Sequence, residues 1–83
     1  MEYRVRVEVS LKSGHSDPEG ETTKKALFEL KYPVKAVNVS KVYNIRLEAT
    51  SLKDAKRKVE EICRRLLANP VKDNYEFEIE EVK

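Results

Sequence analysis

Between Arg64 and Glu81 the spacing of apolar residues changes from a period of 3.6 to a period of 2 within about five residues. Leu66 and Leu67 close a helical apolar stripe, Asn69 and Pro70 stop the helix, and Tyr75, Phe77 and Ile79 then alternate with glutamates. A chain that turns this sharply from helix to half-buried strand must be returning from a helix layer to a sheet layer. The rest of the sequence has to supply both layers.

It does so in order. Tyr3, Val5, Val7, Val9 and Leu11 alternate with Arg4, Arg6, Glu8 and Ser10, which predicts a strand with one buried face. Asp17-Pro18-Glu19-Gly20 reads as a helix start. Asp17 is the N-cap, Pro18 sits where a missing N–H costs nothing, and Glu19 faces the positive end of the helix dipole. Gly20 lowers helix propensity there, so close approach of other backbone is its expected reason. Thr23, Ala26, Leu27 and Leu30 continue at helical spacing until Tyr32-Pro33 marks the exit near Lys31.

Val37, Val39, Tyr43, Ile45, Leu47 and Ala49 all fall on odd positions. A two-residue hairpin at Ser40-Lys41 would set Asn44 on the buried face. A three-residue loop of Ser40, Lys41 and Val42 keeps the parity, and so does a bent continuous strand. Ser51 and Asp54 then form a capping box, followed by Leu52, Ala55, Val59, Ile62, Cys63, Leu66 and Leu67 on one side of a second helix. A last strand is expected over Asn74 to Val82.

The order is β-α-β-β-α-β in an α+β two-layer sandwich, with an antiparallel sheet and two helices on one face, resembling a ferredoxin-like plait. The last strand should lie beside the first, with Arg4 and Arg6 opposite Glu76, Glu78 and Glu80. Eighty-three residues bury roughly 60–65% of their unfolded surface, so one domain, residues 1–83, is expected.

Few kinds of chemistry fit. A net charge of +2 from 17 basic and 15 acidic residues gives no field to hold a phosphate backbone. His15 is the only histidine and stands in a loop without an orienting partner, while Cys63 lies on an apolar stripe where a thiol is inert. The segment Lys12 to Ser16 has one glycine and no arginine, too little for an anion-cradling loop. Single-strand binding on the open sheet face needs exposed aromatics, yet parity sends Tyr3, Tyr43, Tyr75 and Phe77 to the helix side. No run is long and apolar enough for a membrane span, and one cysteine with no metal spacing fits a reducing, cytoplasmic setting. The residues point to an interaction domain; a regulatory or nucleic-acid-binding plait module is the alternative.

Several of these residues also carry a resemblance. Asp17-Pro18-Glu19-Gly20, Ala26-Leu27, Tyr32, Val37, Val39, Lys41 and Cys63, with the run Leu66-Leu67-Ala68-Asn69-Pro70-Val71 ahead of an acidic, aromatic strand, resemble the PurS family. Its members are small subunits of phosphoribosylformylglycinamidine synthase. The chain departs from the family pattern at Lys31 and Ser40, where glycine is usual, and at Lys72, where an apolar residue is usual.

The resemblance implies a subunit without catalytic, metal-binding or cofactor-binding residues of its own. It implies a place in an ATP-dependent, glutamine-using C–N ligase of purine biosynthesis, with ATP and magnesium on the large subunit. The chain would bridge that synthetase (PurL-like) subunit and a glutaminase (PurQ-like) subunit, support ammonia transfer, and self-associate as a dimer or dimer of dimers. Asp17, Pro18, Gly20, Lys41, Asn69 and Pro70 are the implied contact or turn positions, Gly20 and Lys41 above all because local structure explains them least.

Overall fold

The computed structural model describes residues 1–83. Strand β1 (Glu2–Leu11) leads to helix α1 (Pro18–Glu29), strand β2 (Lys41–Glu48), helix α2 (Leu52–Ile62), one π turn (Cys63–Leu67) and strand β3 (Asp73–Glu81). The sheet is antiparallel in the order β2-β1-β3. It is an α+β two-layer arrangement, as the periodicities imply.

Register follows parity. Val5 lies between Ile45 and Ile79, and Val7 between Tyr43 and Phe77, so apolar residues of all three strands share one face. On the other face Arg4 is opposite Glu80 and Arg6 opposite Glu78. The expected neighbours therefore meet, but the ion pairs on this face are Arg6 with Glu8 at 3.9 Å and Arg46 with Glu2. These are exposed pairs, worth about 0–1 kcal/mol each.

Helix α2 supplies the second layer. Ser51 Oγ accepts from Asp54 N–H at 3.1 Å, and Asp54 Oδ2 accepts from Thr50 N–H at 3.0 Å. Ser51 thus caps the helix as the sequence predicts, while the return bond of the capping box reaches Thr50, one residue before the cap. Val59 and Cys63 pack on Val5, Val7 and Val9, and Ala55 packs with Tyr3 and Ala49. The Tyr75 hydroxyl donates to Glu60 Oε2 at 2.8 Å, tying β3 to the same helix.

Four local readings change. The segment from 34 to 40 is not a strand, so the sheet has three strands, and neither a hairpin loop at Ser40 to Val42 nor a bent continuous strand forms; β2 begins at Lys41. The backbone there is bound elsewhere, because Val39 N–H donates to Asp17 Oδ2 at 2.9 Å. Second, the helical stripe ends early. Leu66 is 80% exposed, because the π turn is under-wound relative to the α-helix that precedes it. Third, the helix stops before Asn69 and Pro70, since Ala68 is already extended (φ −118°, ψ 138°).

The fourth concerns α1. Of its apolar side chains, Leu27 is only half-buried, while Ala26, Phe28 and, at the cap, Leu30 are exposed. One helix about 10 Å across cannot cover three strands 4.8 Å apart, and Tyr43, Ile45, Phe77 and Ile79 stay half-buried. The radius of gyration is 16.5 Å, against about 12 Å for a compact chain of this length. Taken alone, the chain leaves its helix layer incomplete.

Candidate interaction surface

The end of β1 is where most of the singled-out residues gather. Asp17 caps α1 by accepting Gly20 N–H on Oδ1 at 2.9 Å, with Pro18 in the first turn. Its other oxygen holds Val39 N–H, so one carboxylate fastens the segment leading into β2 onto the start of α1. These two backbone donors, Val39 first, hold the Asp17 carboxyl below the usual carboxylate range. Gly20 is buried beneath this crossing. A Cβ there would collide with the Val37 carbonyl oxygen and lie 2.8 Å from Asp17 Oδ2. Close backbone approach is therefore the reason for the glycine.

Asn69 builds a second turn at the same end of the sheet. Its Oδ1 accepts from Val71 N–H at 2.8 Å and Lys72 N–H at 3.2 Å, and Asp73 Oδ2 accepts Asn69 N–H at 2.8 Å. Lys12 binds this turn to β1 twice. Its N–H donates to Lys72 O at 2.7 Å and its Nζ to Pro70 O at 3.2 Å. An open cleft of about 310 Å³ between the two turns is lined by Asp17, Pro18, Lys41, Leu67, Lys72 and Asp73, among others.

Lys41 differs from the rest. It is exposed, pairs with Val9 in the sheet and has no side-chain hydrogen bond or ion pair. Asp17, Gly20 and Asn69 thus have local work, Pro70 contributes its carbonyl, and Lys41 has none. Sequence reasoning missed Lys12 as the link between turns. It also missed the exposed apolar side of α1; a stripe of only four residues beside Lys24 and Lys25 is a weak signal of burial in another chain.

The remaining titratable groups hold no reactive arrangement. Burial, with the Glu60 charge adding to it, pushes the Cys63 thiol up, away from the thiolate. Tyr75 is raised chiefly by its hydrogen bond to Glu60. No cluster of three His, Cys, Asp or Glu residues is placed to hold a metal ion, and no helix is long and apolar enough to cross a membrane. Nor is the open sheet face a stacking platform. Tyr3 is buried and Tyr43, Tyr75 and Phe77 are half-buried on the helix side, leaving Arg4, Arg6, Asn44 and Arg46 outside.

An incomplete helix layer, two free sheet edges and shallow polar clefts define a class, that of a small α+β subunit organised for contact with other chains. Comparison with known proteins identifies which. Residues 4–81 match the family model PurS, phosphoribosylformylglycinamidine (FGAM) synthase. The PurS subunit of Archaeoglobus fulgidus is 49% identical over 70 residues, covering 83% of this chain and 88% of its own. The crystal structure of Methanocaldococcus jannaschii PurS superposes with a TM-score of 0.84 at 38% identity, covering 98% and 99% of the two chains. A chain in the structure of PurLQS from Thermotoga maritima superposes with a TM-score of 0.86 at 32% identity, covering 96% and 99%. The chain belongs to the PurS family, and is a subunit of the glutamine-dependent ligase phosphoribosylformylglycinamidine synthase of purine biosynthesis.

Proposed function

We propose that this chain is the assembly subunit of the synthase, bridging the large ATP-using synthetase subunit and the glutaminase subunit and helping to keep the ammonia path between them closed to solvent. Likeness to a chain of the Thermotoga PurLQS structure supports a place in such a complex. The observation that carries the assembly role is the uncovered helix layer. Phe28 and Leu30 at the end of α1 are 61% and 65% exposed, and apolar residues of both outer strands remain half-buried. These surfaces need another chain to leave water.

The first chain to cover them is a second copy, giving a dimer or dimer of dimers in the cytoplasm. Reciprocal exchange of α1 would be an isologous contact, each copy lending the helix its partner lacks. Lys41 and Pro18 then remain at the cleft, with Pro70 on the neighbouring turn, and these serve as contact residues for the larger subunits. Asp17, Gly20 and Asn69 act through the backbone shape they impose. ATP and magnesium belong to the large subunit, and residues 1–83 act as one domain.

Reconstitution tests this. The large subunit, the glutaminase and this chain are mixed with ATP, magnesium, glutamine and formylglycinamide ribonucleotide. Glutamine-dependent synthesis should require this chain, whereas synthesis from free ammonia should not. Full glutamine-dependent activity without it would end the proposal.

A further inference from the structure

The two ladders of β1 end at different places. Against β3 the pairing runs to Leu11 opposite Asp73, but against β2 it stops at Val9 opposite Lys41. Lys12 N–H donates to Lys72 O and Val82 N–H to Glu2 O, whereas Ala49 N–H donates to Met1 O. Even-numbered residues of β1 therefore turn their backbone groups to β3, and odd-numbered residues turn theirs to β2. Leu11 is odd. Its N–H and C=O point to the β2 side, where the next residue of the ladder would be Val39. The turn and side-chain bonds around it engage Lys12, Ser40 and Asp17 instead.

Where the ladder would continue there is an open cleft of about 430 Å³, lined by Ser10, Leu11, Lys12, Asn38, Val39 and Ser40, among others. Both walls are suited to pairing. Leu11 and Val39 are half-buried and share the apolar parity of β1 and β2, and the Ser40 hydroxyl already donates to Glu8 Oε2 at 2.8 Å. The donor that pairing requires is held elsewhere, because Val39 N–H donates to Asp17 Oδ2 at 2.9 Å. One charge-assisted bond thus competes with two neutral backbone bonds, and the two sides of that competition are comparable in size.

We propose that residues 38–40 form a strap with two positions, one fastened on Asp17 as seen here and one zipped onto the end of β1. In the zipped position Val39 stands opposite Leu11 and exchanges both backbone bonds with it, with Ser40 opposite Ser10 and Asn38 opposite Lys12. Zipping lengthens β2 by three residues, closes the cleft and lifts the Val37 carbonyl off Gly20. Helix α1 otherwise touches its own sheet little. The position of the strap therefore decides whether the start of α1 is held to its own chain. This device belongs to the single chain and does not depend on the assembly role.

Asp17→Ser and Asp17→Asn test it in the full chain. Serine and asparagine are both good N-caps, so Gly20 N–H keeps an acceptor, but neither has a second oxygen to offer Val39. Amide hydrogen exchange followed by NMR reads the result. Val39 N–H should stay protected in both variants, because Leu11 O takes the place of Asp17, and Leu11 N–H should exchange at least tenfold more slowly than in wild type. A nuclear Overhauser contact between the Hα atoms of Lys12 and Asn38 should appear. Loss of Val39 protection with Leu11 exchange unchanged would leave the strap with its fastened position alone and overturn the proposal. Should neither variant fold, the wild-type chain decides. Relaxation dispersion shared by the Leu11 and Val39 amides supports two positions, and flat profiles at both overturn them.

Discussion

The carboxylate of Asp17 holds the backbone N–H of Val39 at 2.9 Å across 22 residues while its other oxygen caps α1 at Gly20. That single side chain decides the course of the chain between α1 and β2. It takes the donor a fourth strand would have used, and it presses the Val37 carbonyl against the one residue in the helix that has no Cβ.

Gly20→Ala tests the crossing. In an exposed helix the change would stabilise by about 1 kcal/mol through helix propensity. Here the added methyl meets backbone oxygen, and forced overpacking costs about 1–3 kcal/mol. The clash should win. Urea unfolding of the variant should show a lower midpoint at unchanged slope; a higher midpoint would mean that the crossing is loose.

Lys31→Gly should act in the opposite direction. Lys31 has φ 74°, and Tyr32 N–H donates to Leu27 O while Lys31 N–H donates to Phe28 O, the pattern of a Schellman cap. A side chain in this left-handed conformation costs about 1–2 kcal/mol that glycine does not. Thermal unfolding should rise by several degrees, roughly 4–8 °C per kcal/mol for a chain of this size.

Acid should unfold the protein partly through two aspartates. Thr50 N–H, then Arg57 and Lys58, hold the Asp54 carboxyl far below its ordinary range, and Val39 and Gly20 N–H lower that of Asp17. Their folded pKa values lie below the unfolded value of about 3.9, so folding favours the ionised form. The contribution is fully present above about pH 5 and is lost as pH falls through 4 and below. Asp54→Asn should flatten the fall in denaturation midpoint between pH 5 and pH 2.5, and an unchanged pH profile would count against the depressed carboxyl.

The exposed side of α1 gives a prediction about copies. Leu27→Glu/Leu30→Glu should leave the far-ultraviolet spectrum nearly intact, because Leu27 is half-buried and Leu30 exposed in the single chain. It should shift sedimentation towards monomer and remove the dependence of the melting temperature on protein concentration. A variant that sediments like wild type would place the contact between copies elsewhere.

Much of the fold and little of its surfaces could be read from the residues in order. The caps at Asp17 and Ser51 are local, since each capping bond spans only three residues along the backbone, and both formed; the second bond of Asp17, to Val39, is the part that was not legible. The alternation of β1 and β3 was equally legible, and with it the register that sets Arg6 opposite Glu78. Val37 and Val39 had strand parity too, but parity says only which face a residue would take if a strand were there. Of the residues singled out by likeness, Asp17, Gly20 and Asn69 turned out to shape the backbone, whereas Lys41 has no local partner.

What the sequence by itself determined were the periods, the caps and the family, because these depend on neighbours a few residues apart or on a run such as Leu66 to Val71. Only the tertiary structure decided that Val34 to Ser40 is a strap, that α1 stands clear of its own sheet, and that the π turn after α2 leaves Leu66 in water. Each of those outcomes depends on a contact between distant residues, or on the absence of one. The switch from helix to strand after Arg64 could be read from the chain alone, but which of its leucines faces water could not.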